Sequence, residues 1–283
     1  MNKYSILLPN FNPIAYSCEM FSIHWYGLLY LIGFYFSIWY GKNFAKKTKQ
    51  KWLKKEIINI TYISFVSIII GGRLGYIIFY NFPYYSKNIL SCFKIWEGGM
   101  SFHGGLIGII VMILIYSKKN KKKFLEITDF IVPLVPFSLG LGRLGNLING
   151  ELWGKISINY PIYILFPAAK KIDFAASQQN IQLKLIFDKF GNLPRHPSQI
   201  YEFIFEGLLL FILFHYLKYT NQKTGIISGL FLICYAIIRI ILELFREPDI
   251  NIGYFLNCIT MGQILSIPML IIGITILIYA KIK

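Results

Sequence analysis

Residues 124–154 read FLEITDFIVPLVPFSLGLGRLGNLINGELWG, and this stretch decides the class of fold. Its first eighteen residues, 124–141, form an apolar run close to the roughly 20 residues that cross the hydrocarbon core of a membrane. The polar residues Arg143, Asn146 and Glu151 follow directly, so we expect them at a membrane boundary. An arginine near hydrocarbon costs roughly 2.5–3.5 kcal/mol on insertion scales, which predicts a bound anion or a fixed partner for Arg143.

The composition of the whole chain is that of an integral membrane protein. Its 283 residues are 55 % hydrophobic and 15 % charged, with a mean hydropathy of +0.54, whereas soluble domains are about 25 % charged. Seven apolar runs are long enough to span a bilayer as helices, and they cover 22–41, 57–80, 98–116, 125–145, 199–217, 225–245 and 258–280. We therefore predict an all-α polytopic membrane protein, a bundle of seven transmembrane helices.

Lysine clusters between the apolar runs predict the orientation of this bundle. Seven lysines lie in 42–55 and five in 118–123, two loops on the same side of the membrane. Short loops rich in lysine face the cytoplasm, which places the N-terminus outside and the C-terminus inside. The net charge of +16 is thus a topology signal, and we expect no nucleic-acid partner.

One segment, 147–198, interrupts the succession of apolar runs. It contains prolines, a polar stretch at 177–180 and β-prone runs such as 181–187. We interpret it as a small extracytoplasmic head, inserted between helices four and five, that can recognise a partner. The predicted organisation is therefore membrane helices one to four in 1–146, the head in 147–198, and helices five to seven in 199–283.

Polar residues converge on the outer half of the predicted bundle. With the orientation above, Arg143 and Arg239 lie in the outer portions of outgoing helices, and His103 lies at the outer end of an incoming one. Tyr235, Arg239 and Glu243 recur every four residues and share one helix face, which must point into the bundle. Only five of the 29 basic residues are arginines. The planar fork of arginine binds phosphate or carboxylate through two bonds, which lysine cannot do.

Structural interpretations compete with functional ones at several of these positions. Arg239 and Glu243 can neutralise each other as neighbours on one helix, and Arg73 can clamp backbone carbonyl groups. His103 can be a packing histidine, although its place beside glycines at the depth of the arginines favours a function. The role of Glu206, two turns into helix five, stays open.

Two kinds of ligand are not expected. Residues 140–145 match the Gly-x-Gly-x-x-Gly fingerprint of dinucleotide sites, but they follow a membrane span and not a strand, so we reject that interpretation. Glycines at this place favour close approach of helices. The four cysteines are scattered without metal-type spacing, so we predict no metal and no cofactor.

Five motifs, in this order along the chain, resemble the bacterial prolipoprotein diacylglyceryl transferases. They are HWYG at 24–27, EGGMSFHGG at 97–105, the block 142–154, HPSQIYE at 196–202, and Arg239 with Glu243. The block 142–154 is close to diagnostic of that family, and all its polar positions match.

The resemblance implies transfer of the diacylglyceryl group from phosphatidylglycerol to the lipobox cysteine thiol of a prolipoprotein signal peptide. The products would be a thioether and glycerol 1-phosphate, made in the bacterial cytoplasmic (inner) membrane by a seven-helix protein with its N-terminus outside. The site residues that the resemblance implicates are Tyr26, His103, Arg143, Asn146, Glu151, Gly154, Arg239 and Glu243, with phosphatidylglycerol binding assigned to Arg143 in particular.

This reaction requires a base for the thiol and positive charge for the leaving phosphate. His103 is our first candidate for the base and Glu243 the second. We expect Arg143 and Arg239 to hold the phosphate and take up charge as the C–O bond breaks. The remaining expected contacts to substrate come from Tyr26, Tyr235, Asn146, Glu151 and Gly154.

Two other classes of protein fit part of the pattern. A transporter or flippase of an anionic lipid explains the arginines and the interrupted helices, but it predicts polar residues at both membrane faces, whereas the inner half is nearly bare of them. A structural membrane subunit predicts buried arginines that are matched by acids. Arg73 and Arg143 have no carboxylate on their own helix face, so such partners would have to come from elsewhere.

Overall fold

A computed structural model describes ten stretches of the chain, namely residues 5–7, 11–18, 22–47, 52–94, 98–158, 160, 162–220, 222–248, 253–255 and 258–282. Glu97 of the second motif and positions 48–51 of the first lysine cluster lie outside the described residues. The chain divides into two compact units, Phe34–Ile131 and a larger unit that combines Met1–Gly33 with Val132–Lys283.

The described residues form twelve α-helices and one π-helical turn. The α-helices are α1 (Trp25–Lys47), α2 (Lys54–Tyr80), α3 (Phe82–Lys87), α4 (Phe102–Asn120), α5 (Phe124–Ile131), α6 (Val135–Ile148), α7 (Lys170–Ser177), α8 (Ile181–Phe190), α9 (Ser198–Glu202), α10 (Leu210–Leu217), α11 (Ile226–Leu242) and α12 (Met261–Ile282). The π-helical turn, Phe203–Leu209, joins α9 to α10.

Several of these helices have the length and the apolar composition of membrane spans. Five segments of the described chain meet both conditions, namely Lys54–Tyr80, Phe102–Asn120, Phe124–Ile148, Ser198–Leu217 and Met261–Ile282, and Ile226–Leu242 is a shorter apolar helix. Large apolar side chains such as Ile271 and Ile278 are more than half exposed, as lipid-facing residues would be. The fold is therefore a mostly helical membrane protein, while the count of seven spans and their orientation stay predictions.

Two small sheets belong to the larger unit. Strand β1 (Ser5–Leu7) runs parallel to β4 (Tyr163–Leu165), which pairs antiparallel with β5 (Pro194–Arg195). Strands β2 (Ile14–Ser17) and β3 (Ser22–His24) form an antiparallel hairpin before α1. Strand β4 is buried on both faces. Ile164 of this strand belongs to a small hydrophobic core. The core consists of Ile164, Phe166 and Ala169, with Leu147, Trp153 and Ile200 packed around them.

The expectation of β structure at 181–187 is wrong, because these residues lie in helix α8. Asn180 caps the helix by accepting a hydrogen bond from the amide of Gln182 at 2.8 Å. Gly191, with φ of 72°, ends the helix in the left-handed region that glycine adopts freely. The apolar residues Leu183, Ile186, Phe187 and Phe190 recur at helical spacing and explain why a helix is preferred here.

Arg73 of α2 clamps backbone carbonyl groups of the chain that follows α3, as one sequence interpretation predicted. Its Nη2 donates to the carbonyls of Ser91 at 2.7 Å and Lys94 at 3.0 Å, and its Nε donates to that of Cys92 at 3.0 Å. Nη1 also donates to the carbonyl of Gly98. The guanidinium is thus a structural tie within the unit Phe34–Ile131.

Candidate active site

Arg143 of α6 is paired with two carboxylates, that of Glu202 at the end of α9 and that of Glu206 in the π-helical turn that follows. Its Nε and Nη2 both donate to Oε2 of Glu206, at 3.0 Å and 2.9 Å. Its Nε also lies 3.3 Å from Oε2 of Glu202. The fixed partner that the sequence required for Arg143 is therefore supplied by two glutamates of another helix.

Arg239 of α11 contacts the same two carboxylates. Its Nη1 donates to Oε1 of Glu202 at 2.6 Å and to Oε1 of Glu206 at 3.3 Å. Its Nη2 lies 2.5 Å from Oε1 of Glu243, the neighbour expected on the same helix. Nη1 of Arg246 lies 3.4 Å from Oε1 of Glu202, which extends the group by one more arginine.

We call these residues the ion cluster, and they are Arg143, Arg239 and Arg246 with Glu202, Glu206 and Glu243. Three positive charges face three negative ones, so the cluster is formally neutral. The side chains of Glu202 and Glu206 are 1 % and 0 % exposed. Removing one partner of such a buried pair leaves an uncompensated charge and costs about 3–5 kcal/mol. The cluster is therefore held in one arrangement.

Glycine packing brings α6 close enough to the π-helical turn for these contacts. A Cβ built on Gly140 would lie 3.0 Å from the Cα of Gly207, closer than real Cβ atoms normally approach. Gly207 directly follows Glu206 in the turn. The glycines before Arg143 therefore permit close helix approach, as predicted, and this contact sets the depth at which Arg143 meets Glu206.

The polar residues after Arg143 form a second hydrogen-bonded group. Asn146 donates from Nδ2 to Oε1 of Glu151 at 2.9 Å, and Asn149 donates to the same oxygen at 3.3 Å. Gln199 of α9 donates to the backbone carbonyl of Glu151 at 2.6 Å. These bonds fix the chain where it leaves α6, and Glu151 is an exposed residue.

Gly154 lies where the chain has no room for a side chain. Its amide donates to the carbonyl of His196 at 3.2 Å, and it pairs with Arg246 as an antiparallel bridge. A Cβ at this position would collide with the backbone carbonyl of His196. Gly154 therefore joins two matched motifs to the strand-like segment that carries Arg246.

A separate buried ion pair supports this junction from the predicted head. Arg195 donates to the Gly154 carbonyl at 2.9 Å and to Oδ1 of Asp173 at 2.8 Å. Arg195 is 1 % and Asp173 0 % exposed. Asp173 also accepts from the amide of Leu193 at 3.0 Å, so its carboxylate ties α7 to the segment before α9.

Two tyrosines predicted for the site lie in the same unit as the ion cluster. The Oη of Tyr26, near the start of α1, is 3.3 Å from that of Tyr30. The Tyr26 ring packs against Gly145, where an added Cβ would lie 2.5 Å from Cδ2. Tyr235 is one turn before Arg239 on α11, and its ring centroid is 5.8 Å from that of Phe231.

His103 belongs to the other unit, Phe34–Ile131, and its surroundings are those of that unit. It lies in the first turn of α4, where Ser101 caps the helix by accepting from the amide of Gly104 at 3.2 Å. The side chain is exposed and lines an open groove with Phe79, Tyr80, Ser101 and Ile107. The structure thus gathers all the predicted site residues except His103 into the larger unit.

His196 precedes α9 and lies among aromatic rings. Its ring centroid is 4.7 Å from that of Tyr160 and 5.3 Å from that of Phe245. Its Nδ1 is 3.5 Å from the Oη of Tyr201. Partial burial lowers the pKa of His196, and the positive charge of Lys155 lowers it further.

The sequence interpretation missed the centre of the ion cluster. In the sequence, Glu202 stands out only as the last residue of the motif 196–202, the role of Glu206 stays open, and Arg246 lies outside all five motifs. Two carboxylates four residues apart in an apolar run share one helix face and need cations there. That spacing was the available signal for Glu202 and Glu206.

A sequence model of the family described as prolipoprotein diacylglyceryl transferase matches residues 13–279. The chain belongs to this family. It is 56 % identical, over 269 residues that cover 95 % of the chain and 96 % of the relative, to the phosphatidylglycerol–prolipoprotein diacylglyceryl transferase of Buchnera aphidicola from Schizaphis graminum. It is 47 % identical over 281 residues to the protein of that name in Escherichia coli O1:K1, covering 99 % of the chain and 97 % of the relative.

Membership in the diacylglyceryl transferase family bears on the competing interpretations. Buried arginines matched by acids were the expectation for a purely structural subunit, and the ion cluster has that character. The family match nevertheless spans the ion cluster, the Asn146 group and His103 alike. A polar group of this size in an apolar protein of a transferase family is a candidate active site.

Proposed function

We propose that this chain transfers the diacylglyceryl group of phosphatidylglycerol to the lipobox cysteine thiol of a prolipoprotein signal peptide. A thioether forms and glycerol 1-phosphate leaves, which is the first step of bacterial lipoprotein maturation. The observation that carries the proposal is the 56 % identity, over nearly the whole chain, to a relative with that name.

The arginines of the ion cluster suit the phosphate of this reaction. The thiolate attacks the glyceryl carbon, the C–O bond breaks, and its electron pair leaves on the phosphate. Within the part of the chain that the structure describes, no hydrogen bond or ion pair engages Nη1 of Arg143 or Nε of Arg239. We assign these donors to the phosphate, where each is worth about 3–4 kcal/mol of transition-state stabilisation.

The remaining predicted residues have supporting roles in the proposal. Asn146 and Glu151 orient the glycerol hydroxyls of the lipid or brace the arginines, and Tyr26 adds a hydroxyl from α1. Tyr235 contributes to binding from the face of α11 that carries Arg239. Gly154 acts through the backbone, because its lack of a side chain permits the junction with His196.

We propose that His103 is the base that removes the proton from the thiol, with Glu243 as the second candidate. Oε1 of Glu243 already lies 2.5 Å from Nη2 of Arg239, so this oxygen is engaged in an ion pair. A thiol of ordinary pKa, about 8.5, is mostly protonated at neutral pH and needs a base.

Substitution tests this assignment of the base. His103→Gln is expected to lower the rate and to flatten the acidic side of the pH–rate profile, measured with saturating lipid. An unchanged profile would transfer the role to Glu243, for which Glu243→Gln is the companion variant.

The proposed setting is the bacterial cytoplasmic membrane, crossed seven times with the N-terminus outside and the active site in the outer half of the bilayer. The lysines of 42–55 and 118–123 support this orientation. Under this arrangement 147–198 is an extracytoplasmic head that recognises the signal peptide, between the membrane helices of 1–146 and those of 199–283.

A reconstituted reaction tests the proposed function. Purified protein is incubated with phosphatidylglycerol labelled in its acyl chains and a lipobox peptide, and the peptide is analysed by mass spectrometry. We expect the mass of a diacylglyceryl thioether on cysteine, and none on a matched peptide with serine in its place. Movement of labelled lipid across a vesicle membrane without modified peptide would instead support the transporter alternative.

A further inference from the structure

Glu206 joins the two arginines that the proposed reaction needs. Its Oε2 accepts two hydrogen bonds from Arg143, at 3.0 Å and 2.9 Å, and its Oε1 accepts one from Arg239 at 3.3 Å. One carboxylate thus contacts a guanidinium from α6 and another from α11. Glu202 contacts the same two arginines, with Oε2 3.3 Å from Nε of Arg143 and Oε1 2.6 Å from Nη1 of Arg239. The two carboxylates together fix the distance between the cations, and of the two it is Glu206 that also holds Nη2 of Arg143.

The same contacts decide which edge of Arg143 is available. A guanidinium offers two edges for a bidentate anion, one formed by Nε and Nη2 and one by the two terminal nitrogens. Glu206 occupies the first edge by accepting from both Nε and Nη2. A substrate phosphate must therefore meet Arg143 from the Nη1 side.

Glu206 is itself held away from any substrate. Its side chain is 0 % exposed, and it lies in the π-helical turn next to Gly207, which packs against Gly140. π-Helical turns occur frequently at functional sites. A carboxylate that is completely buried and engaged by two arginines acts through those arginines and not on the lipid.

We propose that Glu206 is a positioning residue, which sets the spacing of Arg143 and Arg239 together with Glu202 and, by holding the Nε–Nη2 edge of Arg143, turns its Nη1 side towards the phosphate. This inference rests on the proposed transferase function. Neither the sequence motifs nor the family resemblance had given Glu206 a role. Its loss misplaces the phosphate donors without removing either of them.

Glu206→Gln is the first test, because it keeps the size of the side chain. The amide nitrogen of glutamine is a hydrogen-bond donor, and a guanidinium has donors only. Glutamine can therefore accept from one arginine through its oxygen but cannot bridge both. We expect kcat to fall about 10- to 100-fold, the range for a reacting group displaced by about 1 Å. KM for phosphatidylglycerol in mixed micelles is expected to change less than about threefold, because the arginine donors that we assign to the phosphate remain.

Glu206→Asp is the second variant and keeps the negative charge. The side chain of aspartate is shorter by one methylene, so its carboxylate cannot contact both arginines. We therefore expect kcat to fall at least about tenfold. Glu56→Gln, which removes the Glu56–Lys122 ion pair in the other unit, is the matched control. This control is expected to keep kcat within about twofold of the unsubstituted chain.

Several outcomes would overturn the positioning role. Full activity of Glu206→Asp beside an inactive Glu206→Gln would show that net charge matters and not the bridge. A rise in KM that accounts for the whole loss would make Glu206 a substrate contact. Full activity of both variants would remove any role. If the unsubstituted chain forms no thioether in the same assay, the proposed function fails and not the assignment of Glu206.

Discussion

At the scale of single residues, the contacts of Arg143 decide which part of its guanidinium can bind the phosphate. It uses one edge of its guanidinium for Glu206, and we assign the other edge to phosphate. Lysine has no planar fork and cannot serve both partners at once. We expect Arg143→Lys to lower kcat/KM about 100- to 1000-fold, as loss of a preorganised donor does, measured as thioether formation by the purified variant.

Protein yield separates this effect from misfolding. Lysine keeps the positive charge opposite Glu206, so the variant is expected to insert into membranes in amounts similar to those of the unsubstituted chain. Thioether formation at the original rate by such membranes would contradict the phosphate-binding role of Arg143.

His196 gives a residue-scale prediction about pH. Its pKa is lowered in the folded chain by burial and by Lys155, whereas in the unfolded chain it is about 6.5. Between these two values the unfolded chain binds more protons, so the free energy of unfolding rises with pH across that window. The contribution of neutral His196 is complete above about pH 6.5 and is lost as the pH falls.

Thermal unfolding in detergent between pH 7.5 and 5.5 measures this contribution. The unsubstituted chain is expected to lose more thermal stability on acidification than His196→Gln does. His24→Gln, at an exposed histidine on β3, is the matched control. Equal pH dependence of the unsubstituted chain and His196→Gln would show that His196 does not titrate in this way.

At the scale of elements, Asp173 decides whether the predicted head keeps its structure. Its carboxylate accepts from Arg195 at 2.8 Å and from the amide of Leu193 at 3.0 Å, with no exposure to solvent. In Asp173→Asn the buried charge of Arg195 keeps Glu247 as its carboxylate partner but loses that of Asp173. We therefore expect the free energy of unfolding to fall by about 3 kcal/mol.

Limited proteolysis of folded protein in detergent measures the stability of this region. Cleavage within 150–198 is expected to become faster in Asp173→Asn. Asp188→Asn, at an exposed position on α8, is the matched control. Its free energy of unfolding is expected to change by no more than about 0.5 kcal/mol. Equal protection of both variants would mean that the Asp173 ion pair is not what stabilises the head.

The elements also show how far the sequence can predict this fold and site. Apolar runs of bilayer length predicted the long helices, because length and composition alone determine that signal. The α8 error came from a short apolar run, in which strand and helix patterns are hard to distinguish. The caps at Asn180 and Gly191 were the missing information.

The pairing inside the ion cluster was harder to predict for a different reason. Motif identity marked Arg143, Arg239 and Glu243, since these residues stand in recognisable blocks. That Glu206 joins two of them depends on the rotation of the π-helical turn and on its glycine contact with α6. Neither property can be read from residue spacing. The sequence could predict that Arg143 needs a partner, that Arg239 can pair with Glu243, and that Glu202 and Glu206 share one helix face, but not which arginines the two glutamates meet.

At the scale of the whole molecule, the proposed orientation decides which ends of the helices face the cytoplasm. The lysine clusters of 42–55 and 118–123 predict that their loops are inside. A catalytic site in the outer half of the membrane would then lie on the side where secreted prolipoproteins emerge. The proposed function and the proposed orientation therefore require each other.

Two exposed lysines on opposite sides of the predicted membrane test this orientation. Lys119 lies at the end of α4 in a lysine cluster, and Lys184 lies on α8 in the predicted head. Each is changed to cysteine in a chain whose own cysteines are replaced by serine, and intact cells are treated with a membrane-impermeant maleimide. We expect Lys184→Cys to react in intact cells and Lys119→Cys only after lysis, because positively charged loops stay in the cytoplasm. The reverse pattern would place the ion cluster nearer the cytoplasmic face, where an exported prolipoprotein could not meet the arginines from outside, and the proposed orientation would have to be abandoned.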